Sequence, residues 1–125
     1  MFKKKFIKKD ENIYVFDYSE VTAKRVNEFY KANPFPNYEV SDNKGTIASK
    51  GNSNFYVSNL KKFIGFNKKV LEVGAGTSQL SNYLAIGNNN SVVAFDLNIE
   101  ALKIGSLFAK ENKIKNVNFV CGDIF

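Results

Sequence analysis

Apolar and polar positions follow a regular order in the second half of the chain, which predicts alternating strands and helices. The apolar runs at 70–73, 91–96 and 116–121 predict three strands. Leucines on one face predict a helix over 77–86, and Asn98 can cap a second helix that runs to about residue 111. Strand and helix alternating at this spacing predict βαβ units, and hence an α/β fold with a parallel sheet and both helices on one face.

The first half is more polar and predicts a helical segment ahead of the sheet. We divide the chain into a helical, lid-like N-terminal segment with a polar loop over 1–54 and an α/β domain over 55–125. Ser19 can cap a helix that ends before Asn33-Pro34, because the residue before proline avoids the helical region. The other elements predicted here are a strand or extended arm at 12–16, the helix at 19–32, a rigid aromatic stretch NPFPNY at 33–38, a loop at 39–54 and a helix at 55–65 that Gly65 stops.

The scarcity of cysteine and the absence of histidine exclude several kinds of chemistry. The chain of 125 residues has one cysteine and no histidine. An internal disulfide, a Cys/His zinc site and a histidine general base are therefore excluded. No apolar run is long enough to span a membrane, and no apolar segment follows the basic start as it does in a secretory signal. We expect a reducing, cytoplasmic location and a buried, unreactive Cys121.

Basic residues are concentrated in the first half. Residues 1–69 carry 14 basic and 7 acidic groups, whereas residues 70–125 carry 4 basic and 5 acidic groups. All of the basic residues but Arg25 are lysines, and asparagine is equally abundant, as an AT-rich genome would encode. The lysine run at 3–9 could attract an acidic partner such as RNA or an anionic lipid headgroup. A mobile, solvated tail is favoured, because these lysines are not interleaved with an aromatic platform.

A glycine turn and two acidic residues are expected at one edge of the predicted sheet. Glu72 precedes Gly74-Ala75-Gly76, and glycines let backbone N–H groups approach a ligand at a helix N-terminus. Asp96 ends the second strand, 20 residues after Gly76, where a carboxylate can accept both hydroxyls of a ribose. Asp123 follows the third strand. Each feature alone could be an ordinary turn or a strand-end cap, whereas together they indicate a nucleoside-containing ligand.

The turn does not suit a nicotinamide dinucleotide. Gln79 stands where that fingerprint needs a small residue for close packing of the helix on the strand. Glu72 would also repel a pyrophosphate. A ligand with a cationic group and no phosphate, such as S-adenosylmethionine, fits better.

Three segments resemble class I S-adenosylmethionine-dependent methyltransferases. VLEVGAGTSQLS at 70–81 is similar to the first motif of that family, VVAFDLN at 92–98 to the second and NVNFVCGDIF at 116–125 to the third. The resemblance implies a Rossmann-like parallel sheet of which the chain holds only the first three strands. Ser78 departs from the family, which often has a third glycine there; serine is small, and we expect it to be tolerated.

The resemblance also implies the cofactor and the residues that bind it. The cofactor would be S-adenosylmethionine. Glu72 and the glycine turn of Gly74, Ala75 and Gly76 would hold its methionine moiety. Asp96 would bind the ribose hydroxyls with Leu97 flanking the adenine, while Asp123 would accept from the adenine amino group and Ile124 would cover the ring. The catalytic residues stay unknown, and no metal site is expected.

Members of this family continue past the third strand with a fourth strand beside the first. We therefore expect the chain to be a fragment, or a partner chain to cover the apolar edge at 70–73, through which the chain could also self-associate. A small-molecule methyl acceptor is favoured; an RNA or protein acceptor and a non-catalytic S-adenosylmethionine-binding module are the alternatives. Tyr30, Phe35 and Tyr38 could line the acceptor side or simply pack their segment onto the domain. Tyr56 and Tyr83 are expected to be packing residues.

Overall fold

A five-stranded sheet organises the part of the chain that this computed structural model describes, residues 6–10, 12–16 and 37–123. Across the sheet the strand order is β1-β2-β5-β4-β3. The elements are β1 (Phe6–Asp10), β2 (Ile13–Phe16), α1 (Lys44–Ser53), α2 (Phe55–Ile64), β3 (Lys69–Val73), α3 (Gln79–Ala85), β4 (Ser91–Asp96), α4 (Ile99–Glu111) and β5 (Val117–Cys121).

The βαβ units predicted for the second half are confirmed. Strand β4 pairs in parallel with β3 on one side and with β5 on the other. Val73 is level with Phe95, and Asp96 is level with Cys121, so the carboxyl ends of the three strands meet at one edge. The residues that follow each strand, which carry the motifs, are thereby brought together.

One face of the sheet forms the core beneath the helices. Alternate strand residues such as Val92, Ala94 and Phe119 are buried there, together with Leu84 of α3 and Leu102 of α4. Burying a large apolar side chain stabilises a fold by about 1.5–3 kcal/mol, so this layer is the main source of stability. Cys121 lies in it with no exposed surface, as predicted.

The edge of the sheet opposite β3 is a hairpin of β1 and β2, of which the sequence predicted only β2. Strand β2 is confirmed, and it pairs in parallel with β5, which places Ile13 level with Phe119 in the core. The expectation of a mobile basic tail is wrong for Phe6–Asp10, which form β1 and pair antiparallel with β2. The residues that pair between β2 and β5 are more than a hundred positions apart in the sequence, so no local pattern encodes this register.

The loop predicted at 39–54 is also wrong, because Lys44–Ser53 form α1. Asn43 begins this helix with a capping box: its side chain accepts from the Thr46 amide at 3.1 Å, and its own amide donates to the Thr46 hydroxyl at 2.7 Å. Ile47 is the buried residue of the helix. The cap and one anchoring side chain therefore outweigh a composition that favours a loop.

Helix α2 is confirmed, and Gly65 ends it with a φ of 78°. Val57 and Ile64 pack against the core, but Leu60 is exposed. Tyr56 was expected to pack and is instead 82% exposed, whereas Tyr83 is buried. In α4, Leu107 is likewise exposed. Helix α2 therefore presents an apolar surface that no described residue covers.

The predicted helix at 19–32 and residues 33–36 of the aromatic stretch, with Tyr30 and Phe35, lie outside the described residues. Within the described part of the chain, no helix is both long and apolar enough to cross a membrane.

Helix α4 crosses the glycine turn at close range, and Gly105 permits the approach. A Cβ atom at residue 105 would lie 2.4 Å from the Thr77 carbonyl oxygen and 2.7 Å from the Ser78 Cβ. Both distances are far inside van der Waals contact. A glycine in the middle of a helix usually has such a packing reason, since it costs helix stability.

We expect Gly105→Ala to destabilise the protein by roughly 1–3 kcal/mol, because the added methyl group meets backbone atoms that cannot move aside. Urea unfolding followed by circular dichroism measures the change. In an open helix position the same substitution stabilises by about 1 kcal/mol, so a stabilised variant would contradict the close approach.

Candidate cofactor site

The turn after β3 is fixed by hydrogen bonds to the neighbouring strand. The Gly74 and Ala75 amides both donate to the Phe95 carbonyl, at 2.8 and 3.0 Å. Gly74 has a φ of 79° and Gly76 a φ of 57°, a backbone region that glycine adopts without strain. The turn therefore follows the end of β4 closely and leaves its outer side free.

Asp96 joins the three strand ends. One carboxylate oxygen accepts from the Gly76 amide at 2.7 Å, and the other accepts from the Asn98 amide at 2.8 Å. Its carbonyl accepts from the Gly122 amide at 3.0 Å. The Asn98 side chain in turn caps α4 by accepting from the Glu100 and Ala101 amides. A single carboxylate thus positions the glycine turn and the start of α4.

Glu72 lies on the helix side of β3, below the first turn of α3. Its carboxylate accepts a hydrogen bond from the Ser81 hydroxyl. Burial raises the pKa of Glu72, the hydrogen bonds from Ser81 oppose the rise, and the nearby Asp96 carboxylate adds to it. A raised pKa marks a carboxyl group that gains from a cationic neighbour, since a positive charge would compensate the lost hydration.

Ser78 occupies the place of the third family glycine in a left-handed conformation, with a φ of 61°. A non-glycine residue pays about 1–2 kcal/mol for that conformation. The side chain is completely buried, its hydroxyl oxygen has no hydrogen-bond partner among the described residues, and its Cβ lies beside Gly105. Serine is accommodated because helix α4 has no side chain at this point.

Leu97 and Asp123, two of the remaining predicted site residues, lie at the same edge. Leu97 follows Asp96 and is half-buried, and its carbonyl accepts a weak hydrogen bond from the Cys121 thiol with a separation of 3.5 Å. Asp123 is half-buried after the end of β5. Ile124 lies outside the described residues. Six of the eight predicted residues therefore belong to the ends of β3 and β4 and to the turn after β3. Asp123 directly follows Gly122, after the end of β5.

Tyr38 packs behind the turn. Its hydroxyl donates to the Thr77 carbonyl at 2.9 Å and accepts from the Asn82 amide group at 3.0 Å, and its ring stacks on Phe108 with centroids 4.5 Å apart. Burial raises the pKa of this hydroxyl well above its usual range, so it stays protonated. Of the two roles considered for Tyr38, the structure supports packing of its segment onto the domain.

Sequence reasoning missed two residues that shape the site, Ser81 and Gly105. Ser81 becomes a partner of Glu72 only once α3 lies over β3, and its position on the first turns of that helix carries no signal by itself. Gly105 did carry one, because a glycine within a helical pattern indicates close packing.

The donor set fits S-adenosylmethionine. A Cβ atom added at Gly74 would have no neighbour within 4 Å, so open space adjoins the turn. Each oxygen of Asp96 accepts one N–H and retains a lone pair for a hydroxyl. Glu72 supplies a second carboxylate suited to a cationic group. Within the described residues, no cluster of His, Cys, Asp and Glu could hold a metal ion.

Comparison with known proteins agrees with this geometry. A family model described as a methyltransferase domain matches residues 64–125. None of the curated proteins matches the chain. Among solved structures, the PH0226 protein of Pyrococcus horikoshii is 24% identical, with a TM-score of 0.53 over 77% of this chain and 39% of its own. The [4+2]-cyclase SpnF is 18% identical, with a TM-score of 0.55 over 81% of this chain and 43% of its own.

A third structure, an S-adenosylmethionine-dependent methyltransferase from Aquifex aeolicus, is 21% identical, with a TM-score of 0.49 over 66% of this chain and 48% of its own. The chain spans less than half the length of each of these three proteins. Strand order, motif positions and the family match therefore agree: residues 64–125 belong to a family of methyltransferase domains, and they form a Rossmann-like parallel sheet.

Proposed function

We propose that this chain binds S-adenosylmethionine at the carboxyl edge of β3, β4 and β5 and takes part in methyl transfer to a small-molecule acceptor. The observation that supports this best is the Asp96 carboxylate, held between two backbone amides beside an open glycine turn. A group fixed in this way is oriented before the ligand arrives, which reduces the entropy lost on binding.

The proposed roles are those that the family resemblance implies. Glu72 and the turn of Gly74, Ala75 and Gly76 would hold the methionine moiety, whose ammonium group suits a carboxylate. Asp96 accepts from the ribose hydroxyls, and Leu97 flanks the adenine. Asp123 accepts from the adenine amino group. The proposed role of Ile124, covering the ring, lies outside the described residues.

Methyl transfer asks little of protein side chains. The sulfonium of the bound cofactor supplies the activated methyl group. The protein contributes by holding the acceptor in line with that methyl group at short range, and a base is needed only if the acceptor must lose a proton. The absence of histidine from the chain is compatible with this chemistry.

A small molecule is favoured as acceptor because Glu72, Asp96 and Asp123 make the cofactor edge acidic, which disfavours a polyanion there. RNA or protein acceptors remain the alternative within methyl transfer. A non-catalytic S-adenosylmethionine-binding module is the alternative outside it.

The organisation proposed for the whole chain has two parts. Residues 55–125 carry the cofactor site, and residues 1–54 precede them; β2 and Ile47 of the first part pack into the same core as the second. We place the protein in the cytoplasm on the basis of its single buried cysteine.

Asp96→Ala should weaken S-adenosylmethionine binding at least about tenfold, since it removes charge-assisted hydrogen bonds to the ribose. Isothermal titration calorimetry measures the affinity, and circular dichroism checks that the variant folds. NADH serves as the comparison ligand. Tight binding of NADH without binding of S-adenosylmethionine would refute the assignment.

Ser81→Ala should raise the pKa of Glu72 further, because only the backbone donor of Ser81 then stabilises the carboxylate. A carboxyl group whose pKa is raised by folding favours the folded state while it is protonated, and this contribution is lost as pH rises to the raised pKa; the group attracts a cation only once it is ionised. We therefore expect S-adenosylmethionine affinity to rise with pH above the ordinary carboxyl range, with the midpoint at higher pH in Ser81→Ala.

Two controls accompany that titration. Ser81→Thr keeps the hydroxyl and should retain the parent midpoint, whereas Glu72→Gln should remove the pH dependence. An unchanged midpoint in Ser81→Ala would show that the hydroxyl does not control the charge of Glu72.

The chain on its own should self-associate through β3. This strand is a sheet edge, and Leu71 and Val73 are 63% and 49% exposed. Sedimentation velocity should show a concentration-dependent dimer that Leu71→Lys abolishes and that Ile104→Lys, on the exposed side of α4, leaves intact. A monodisperse, cooperatively folding monomer of the parent chain would contradict this.

A further inference from the structure

A basic cleft lies at the end of α4 that is remote from the cofactor site. It encloses about 340 Å³ between the hairpin, the last turn of α4 and the start of β5. Four exposed lysines line it: Lys9, Lys110, Lys113 and Lys115. The 13 residues of α4 separate it from Asp96 by about 20 Å, at 1.5 Å per residue.

The lysines of this cleft are not explained by the lysine-rich composition. Residues 70–125 contain four lysines in all, and three of these line the cleft. No carboxylate is among the described lining residues, and in the described part of the chain none of the four ammonium groups is within ion-pairing distance of an acidic side chain. The nearby Asp10 pairs instead with Lys103, outside the cleft. The described lining of the cleft therefore carries four positive charges and no negative charge.

Lys113 occupies a backbone position that glycine would fill at lower cost. Helix α4 ends in a Schellman motif: the Ile114 amide donates to the Ala109 carbonyl at 2.8 Å, and the Lys113 amide donates to the Lys110 carbonyl at 3.3 Å. Lys113 has the left-handed φ of 56° that this motif requires. A lysine here costs conformational energy, and in return it places a positive charge in the cleft.

Aromatic rings adjoin the lysines. Tyr14 of β2 lines the cleft and is 38% exposed, with the Lys9 ammonium 5.2 Å from its ring centroid. The ring of Phe6, which is 48% exposed, lies 6.3 Å from that of Tyr14. Lys9, the last lysine of the N-terminal basic run, therefore lies next to exposed aromatic rings. Lysines beside exposed rings are typical of surfaces that bind single-stranded nucleic acid.

We propose that this cleft binds the phosphate backbone of a single-stranded nucleic acid, with a base stacked on Tyr14. The lysines replace the counterions of the phosphates, and the ring accepts any base because every base has a π-face. The cleft is remote from the acidic cofactor edge and opposite to it in charge. The interaction therefore holds a nucleic-acid strand and is independent of methyl transfer.

Lys113→Gly gives the sharpest test, because it should change folding and binding in opposite directions. Removing a left-handed lysine should raise the melting temperature. Loss of one phosphate contact should weaken binding roughly fivefold at about 0.1 M salt and lower the log–log salt slope by about 0.7. Fluorescence anisotropy with labelled single-stranded RNA and DNA of equal length and mixed sequence measures both quantities.

Lys69→Gln, at the far edge of the sheet, is the charge-matched control and should bind as the parent does. Tyr14→Ser should weaken binding without changing the salt slope. Similar affinity for RNA and DNA would support backbone recognition, and a preference for one would identify the source of the strand. Equal losses in Lys69→Gln and Lys113→Gly, or binding to phosphatidylserine vesicles but to neither oligonucleotide, would overturn the proposal.

Discussion

The carboxylate of Asp96 is the constraint on which the site depends. Strand β4 ends at this residue, and its two oxygens hold the Gly76 and Asn98 amides, while its carbonyl holds Gly122. Asp96 thus fixes the positions of three segments: the turn after β3, the start of α4 and the chain after β5. Because buried or half-buried backbone amides need partners, this arrangement stabilises the fold before any ligand binds. If Asp96 binds the cofactor as proposed, cofactor affinity and the stability of the fold are coupled at this residue.

Close packing around the glycine turn follows from that constraint. The turn lies against β4, and α4 crosses it at short range. Because Gly105 has no side chain, the helix can pass close to Ser78. Tyr38 then fills the space between α3 and α4 and binds the Thr77 carbonyl. A segment far from the motifs in sequence thereby supports the conformation of the first motif.

The sequence predicted the elements between residues 69 and 121 well, because their signals are local. Apolar runs set the strands, Asn98 marks the start of α4, and the motifs fall at strand ends. Helix α1 was missed because its signal is a capping box at Asn43 and Thr46 with one buried side chain. Strand β1 and the pairing of β2 with β5 depend on contacts between distant residues. Ser81 was missed for a similar reason, since its contact with Glu72 exists only after α3 packs on β3.

The two edges of the sheet have unequal capacity to add strands. Strand β1 contains Lys8 and Lys9 and has an irregular register between Phe6 and Lys8, both of which hinder further pairing. Strand β3 has a regular register and an apolar outer surface. Filament growth requires two adhesive edges, whereas two copies joined across β3 would present only β1 at either end. The geometry therefore favours a closed, twofold-symmetric pair over an open polymer.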